Sequence, residues 1–370
     1  MPESTVRTRR RFLTGAAAVG GVTLTAGCTE ILGGDDGGEG AAAGEDFSDL
    51  ESMEATIAHP APPGLNRDHR YALSFKNYVE NATDGQFSVE IAAGGELGNE
   101  TEVMEQVLDG VIEFNNTTGQ VFAPFNPNVI AWTIPYAFDD METLLYAIDN
   151  QWQEEFDRNL RENTNAMLMG PVYDGGGFQV WSANSRVASA SDFEGMSFRT
   201  MASPSHQALT EELGATSEVM SWTELYEALD TGVISGQKNP IATFVLGNLH
   251  EVQDYIFLDN HQAMIQVPYT NEEWFNGLPA AYQSLIREAA FSAAMDARYL
   301  NRLNRSRQIP MVRNELGVEI VEPDESTLDE LRSQTQEPVE EVIRDEMTDT
   351  ALLDSLLEAY DWALEETGQA

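Results

Sequence analysis

Three side chains stand where their types could hold a small molecule: Arg199, Trp222 and Asn239. The segment Phe198-Arg199-Thr200-Met201-Ala202-Ser203-Pro204 reads as a short strand entering a turn, and a helix over 205–212 follows. Met220-Ser221-Trp222 leads into a helix over 223–231, capped by Thr223 or Ser221. A strand and turn then deliver Gln237-Lys238-Asn239-Pro240. Each of the three residues therefore falls at the edge of a regular element, where α/β sheets place ligands. Signatures of bond-breaking chemistry do not accompany them. There is no Gly-x-Ser-x-Gly elbow, no His-Glu-x-x-His, no phosphate loop and no Gly-x-Gly-x-x-Gly. His59, His69, His206, His250 and His261 are scattered, with no i,i+4 pair to suggest zinc. Gly175-Gly176-Gly177 resembles a flexible turn more than a phosphate cradle. No enzyme, metal or cofactor is expected.

The elements that must position these residues alternate along the chain. Residues 55–59 read as a strand and 68–82 as a helix, with Tyr71, Phe75, Tyr78 and Val79 at helical spacing. A strand over 87–92, a helix over 100–108 stopped by Gly110, and a strand over 111–115 follow. This order predicts an α/β fold, a sheet covered by helices. The pattern then repeats: Met104 to Ile112 runs helix, glycine stop, strand, and so does Tyr226 to Ile234. Two similar halves suggest two lobes facing a cleft. Residues 280–307 contain no Gly or Pro and predict a helix long enough to cross both lobes, while 326–366 form an acidic helical part.

The chain carries 62 acidic and 20 basic residues, and Lys76 and Lys238 are the only lysines. Such a surface repels nucleic acid and anionic membrane, so neither is expected as a partner. Even spread of the carboxylates and depletion of lysine point to adaptation to molar salt, where self-repulsion is screened. At the N-terminus, Thr8-Arg9-Arg10-Arg11-Phe12-Leu13 reads as a twin-arginine signal before an apolar run from 16 to 26. It ends in Thr25-Ala26-Gly27-Cys28, which looks like a lipobox with Thr25 where Leu is commoner. Residues 1–28 are thus expected to be an export signal, with Cys28, the lone cysteine, the site of lipid attachment. Residues 29–52 read as a flexible acidic and glycine-rich tether. The body is expected outside the cell, on the extracellular face of the membrane.

In combination, several blocks resemble the solute-binding subunit of tripartite ATP-independent periplasmic (TRAP) transporters, the DctP type. They are Asp192-Phe193-Glu194-Gly195-Met196-Ser197-Phe198-Arg199, Glu224 through Gly232, and Gly236-Gln237-Lys238-Asn239-Pro240, supported by Glu96-Leu97-Gly98, Ile134-Pro135-Tyr136 and Asn260-His261. The resemblance spans roughly 55–317. It implies a two-lobed periplasmic-binding-protein-like fold with a hinge, lobe 1 being 53–176 plus 265–304 and lobe 2 being 177–264 plus 305–370. It also implies capture of a small organic acid and delivery to the small and large permease subunits of a secondary transporter.

The family places its ligand-pairing arginine at the position of Arg199. A guanidinium fork can make two parallel charge-assisted bonds to a carboxylate, which lysine cannot. Asn239 matches the family's binding asparagine, and Trp222 lies where Phe is usual. Glu100 and Thr118 align with contact positions on the first lobe, and His59 falls near the cleft. Gln179 stands where many members have a second arginine, so a second ligand carboxylate is not expected. Lys238 replaces a common Glu. Two other readings remain open: a ligand-binding partner of a signalling receptor with the same fold, and a secreted halophilic hydrolase.

Overall fold

In the computed structural model, which describes residues 47–369, the apolar runs become a single mixed sheet of ten strands. Strands β1 (Met53–His59), β2 (Phe87–Ala93) and β3 (Phe114–Thr118) pair in parallel, with β1 in the middle. Strands β4 (Ala166–Leu168) and β5 (Tyr173–Ala183) follow, then β6 (Ser197–Thr200), β7 (Thr216–Val219) and β8 (Gly236–Asn239). The last three form a second parallel group with β6 in the middle. Between the two groups runs the 17-residue strand β9 (Tyr255–Asn271), antiparallel to β3 at one end and to β5 along much of its length. The short β10 (Glu319–Val321) and β4 complete its pairing. The order β2-β1-β3-β9-β5-β8-β6-β7 therefore sets two parallel groups on either side of an antiparallel seam.

Helices cover this sheet. Helix α1 (Arg67–Ala82) is capped by Asn66, whose side chain accepts from the His69 amide at 2.9 Å. Its buried stripe of Tyr71, Phe75 and Val79 lies on the first core. Tyr78, expected in that stripe, is half-buried and donates to Glu288 instead. Helix α2 (Glu100–Leu108) connects β2 to β3; α3 (Met141–Ala147) and α4 (Gln153–Thr164) follow. In the second group, α5 (Pro204–Glu212) joins β6 to β7 and α6 (Trp222–Asp230) joins β7 to β8. Of the two caps considered for α6, Ser221 holds the position and forms a capping box with Glu224. After α7 (Ile241–Leu246) and α8 (Glu272–Asn276) comes α9 (Ala280–Asn314), 35 residues and about 50 Å long at ~1.5 Å per residue. Ala289, Ala290, Ala293, Ala294 and Ala297 are fully buried along it. Side chains that small let α1 and the sheet approach its backbone closely. The acidic C-terminal run is helical as expected, in two helices, α10 (Glu325–Glu346) and α11 (Ala351–Thr367). No described helix is long and apolar enough to cross a membrane.

The helix–glycine–strand repeat is real in three dimensions. Gly110 and Gly232 both adopt φ of +72°, closing α2 and α6. The following amides, Val111 and Val233, bond back to Gln106 O at 2.8 Å and Ala228 O at 3.0 Å. This is the six-to-one bond of a Schellman ending. In each copy the Val is exposed and the next Ile buried, and the strand opens four residues beyond the glycine. The strands thus begin later than the sequence pattern predicts, because the capping turn consumes the first apolar pair.

Gly175-Gly176-Gly177, read from sequence as a turn, lies inside β5. Gly176 and Gly177 take φ of +105° and +110°, and the register against β9 shifts between Asp174 and Phe178. The run is an irregularity in a strand, tolerated because glycine accepts these angles. Gly236 answers to a different constraint. A Cβ there would sit 2.3 Å from Ser182 O on β5 and 2.5 Å from Phe198 Cε1 on β6. Both neighbours are in central strands and cannot retreat. We expect Gly236→Ala to destabilise the fold by about 1–3 kcal/mol through overpacking, read as a lowered urea midpoint. An unchanged midpoint would mean that β8 can slide between its neighbours.

Candidate functional site

The C-terminal ends of β1, β3, β6 and β8 converge on one cavity of about 30 Å³. Parallel strands leave room there, and the helices that follow present their N-termini. From the first group come Arg67 and Asp68 at the start of α1, Glu100 at the start of α2, and Thr117 and Thr118 ending β3. From the second come Arg199 on β6, Trp222 opening α6, and Asn239 ending β8. Met264 and Gln266 of β9 form part of the wall between them.

Arg199 is 3% exposed. Its Nε donates to Met220 O at 2.9 Å, and its two Nη groups have no protein partner among the described residues. Burial lowers its pKa, opposed by the charges of Glu100 and Glu224. Arginine titrates so high that it stays a cation. The side chain is thus oriented by one backbone bond while the fork remains free. Asn239 is fixed by donating to Gln237, whose amide in turn donates to Ser182 Oγ at 2.6 Å. Glu100 reaches across to the second group, its Oε2 accepting from the Trp222 amide at 3.2 Å. A carboxylate at the N-terminus of α6 is favourably placed for the helix dipole. Thr118 is buried, with Oγ1 bonded to Gln120.

Five of the seven residues singled out from sequence therefore line the cavity: Arg199, Asn239, Trp222, Glu100 and Thr118. The other two do not. Gln179 is buried behind it, its Nε2 3.3 Å from His206 Nε2. His59 lines an adjoining recess of about 10 Å³ that shares Pro60, Glu100 and Thr117 with the main cavity. Its Nε2 is 3.1 Å from His69 Nδ1. Cys28 lies outside the described residues.

Sequence reasoning missed Arg67 and Asp68. Their side chains, 5% and 2% exposed, approach to 3.6 Å, and Asp68 Oδ1 also accepts from Gln266 Nε2 at 3.0 Å. Burial raises the Asp68 pKa and the Arg67 charge opposes the rise. The signal was present, because a cation in the first turn of a helix faces the unfavourable end of its dipole. An arginine kept there needs a compensating partner.

Behind the cavity lies a buried polar layer. Lys238 donates to Gln262, and burial holds its pKa well below the usual lysine value. His261 Nδ1 is 2.9 Å from Asp259 Oδ1, and Tyr136 donates to Asp259 Oδ2 at 2.9 Å. Trp181 stacks on His261 with centroids 4.7 Å apart. The position that differs from the usual Glu thus carries a lysine amine satisfied by an amide oxygen. Among the described residues no group of three His, Cys, Asp or Glu side chains is placed to hold a metal.

Comparison with known proteins gives a consistent picture. A family model, bacterial extracellular solute-binding protein family 7 (DctP), matches residues 57–346. The ectoine-binding periplasmic protein TeaA of Halomonas elongata is 31% identical over 227 residues, 60% of this chain and 65% of that protein. The C4-dicarboxylate-binding periplasmic protein DctP of Rhodobacter capsulatus is 27% identical over 241 residues, 65% of this chain and 71% of that one. The chain thus spans just under two thirds of the first of these relatives. Among solved structures, the sugar acid binding protein DctPAm from Advenella mimigardefordensis, in complex with galactonate, superposes with a TM-score of 0.80. The identity is 20%, over 85% of this chain and all of that one. A TRAP periplasmic solute binding protein from Shewanella oneidensis with bound succinate gives 0.77 at 19% identity, over 83% and 99% of the two chains. These structures share the two-lobed fold.

The site's histidines predict a pH response. Burial, reinforced by His69, pushes the His59 pKa from 6.5 down to about 3. The unfolded chain therefore binds a proton that the folded chain refuses between those values. The stability His59 contributes is complete above about pH 6.5 and falls away as pH drops toward 3. Urea midpoints between pH 7 and pH 4 should decline, and His59→Gln should decline less steeply. Parallel slopes for the two proteins would contradict the assignment.

Proposed function

The chain belongs to family 7 of the bacterial extracellular solute-binding proteins, and from that membership we propose that it captures a small organic acid outside the cell for a TRAP-type permease. The observation that supports this most is Arg199: buried, oriented by Met220, with both Nη groups free toward a cavity at four strand ends. Only an acceptor with two oxygens in one plane uses such a fork fully. Asn239 and Thr118 would add neutral hydrogen bonds and Trp222 an apolar wall. Gln179 and His59 would act from just behind, positioning rather than touching the solute.

The cycle consists of binding and closure, with no bond made or broken. Residues 53–176 with 265–304 would form one lobe and 177–264 with 305–370 the other, hinged where β5 and β9 pass between them. The Glu100–Trp222 bond joins the two and fits a closed arrangement, as the small cavity does. An acid admitted to the open cleft would bind Arg199 and favour closure through contacts made only when the lobes meet. The closed form would then dock on the small and large permease subunits. Export by the twin-arginine route and anchoring through lipid on Cys28 complete the proposal, keeping the receptor on the extracellular face of the membrane.

The test is thermal shift in molar salt against organic acids and neutral sugars. One acid class should stabilise the protein by about 2.7 kcal/mol at 100 times its Kd. Arg199→Ala should abolish that response, since the pair is worth roughly 3–5 kcal/mol when one partner is removed. Stabilisation by sugars alone, or an acid response indifferent to Arg199, would overturn this function.

A further inference from the structure

The charges around the cavity restrict the solute further than its family does. Four ionisable side chains of fixed sign line it: Arg67, Arg199, Asp68 and Glu100. Arg67 and Asp68 pair with each other at 3.6 Å, so together they add no net charge to the cavity. What remains is Arg199 on one side and Glu100 on the other. Glu100 uses Oε2 for the Trp222 amide, and its Oε1 has no protein partner among the described residues. A simple carboxylate placed on Arg199 would therefore leave the closed cleft with one negative charge in excess. Burying an uncompensated charge is costly, which argues for a positive group on the solute itself.

The recess beside Glu100 gives that group a place. It is lined by Glu96, Glu100, His59, Asn115 and Thr117 among others, and no arginine or lysine reaches it. Its volume of about 10 Å³ has room for one group the size of a water molecule, the scale of an ammonium. Glu96 and Glu100 are the only groups of fixed charge that line it, and both are carboxylates, the acceptors an N–H-bearing cation requires.

We propose that the solute is a zwitterion, its carboxylate on Arg199 and its ammonium or other N–H cation in the recess beside Glu100. This rests on the organic-acid reading above and narrows it. The acid is an amino acid or a related compatible solute, not a hydroxy or keto acid.

The experiment is calorimetric titration of the full chain with probes matched in skeleton. Suitable pairs are alanine against lactate, β-alanine against 3-hydroxypropionate, and proline against tetrahydrofuran-2-carboxylate. In the pair that fits, the amine should bind about tenfold tighter or more, the size of one charge-assisted hydrogen bond. Glu100→Gln should remove most of that preference while the Arg199-dependent binding of the oxygen analogue survives. A circular-dichroism melt of Glu100→Gln checks that the variant is folded, and Glu100→Asp should restore part of the preference. A panel with no amine-bearing binder overturns the proposal, as does a preference that Glu100→Gln leaves intact. Hydroxy or keto acids that bind through Arg199 as tightly as their amine counterparts would sink the zwitterion and leave the organic-acid receptor standing. Binding indifferent to Arg199→Ala would remove both.

Discussion

The pairing of β5 with β9 is the contact on which the remaining architecture hangs. Each parallel group is a small α/β unit that could in principle stand alone, and it is the antiparallel seam that makes them neighbours. Because β9 is 17 residues long, its far end pairs with β3 and its near end with β5 and β10. The C-terminal edges of both groups are thereby brought to a common cleft. The irregular register between Asp174 and Phe178 lies on this same seam, with glycine at the positive angles. The ladder between the two strands is therefore continuous toward its ends and interrupted between them. The long helix α9, smooth with alanine where it meets the core, runs along the seam as a strut.

The cleft made by this seam solves an electrostatic problem. In a chain with 62 carboxylates, a free cation at the surface would find an acidic neighbour, as most of the arginines in fact do. Arg199 escapes that fate because it is buried on the middle strand of its group, held by a backbone carbonyl instead of a side-chain acid. Its two Nη groups are left without a protein partner among the described residues. Arg67 shows a different arrangement, a buried cation whose charge is balanced by the adjacent Asp68.

The layer behind the cleft is polar and bonded in two sets, Lys238 with Gln262 and, beside Trp181, Tyr136 and His261 both on Asp259. Such networks specify one arrangement of strands, since any slip strands a buried donor. Here they tie β8 to β9 through Lys238 and Gln262, while Asn239 and Gln266 on the cavity wall are held separately by Gln237 and Asp68.

Much of this was determined by the sequence alone. Period-two and period-3.6 patterns placed β1, α1, β2 and α2, the glycine stops marked the repeated halves, and strand-edge positions picked out Arg199, Trp222 and Asn239. These are local properties: a helix face, a cap or a strand end depends on residues a few positions apart. Where the glycines of β5 lie was not legible, because a run of three reads as a turn unless a partner strand is present to hold it. Nor was the role of Arg67 and Asp68, adjacent residues whose meaning depends on Gln266, nearly two hundred positions away. The distances of Gln179 and His59 from the cavity were equally hidden. Side-chain type and element edge say what a residue can do, but whether it faces a cleft or the layer behind depends on long-range strand pairing. Only the tertiary structure supplies that register, since the energies that select it come from contacts between segments no local pattern connects.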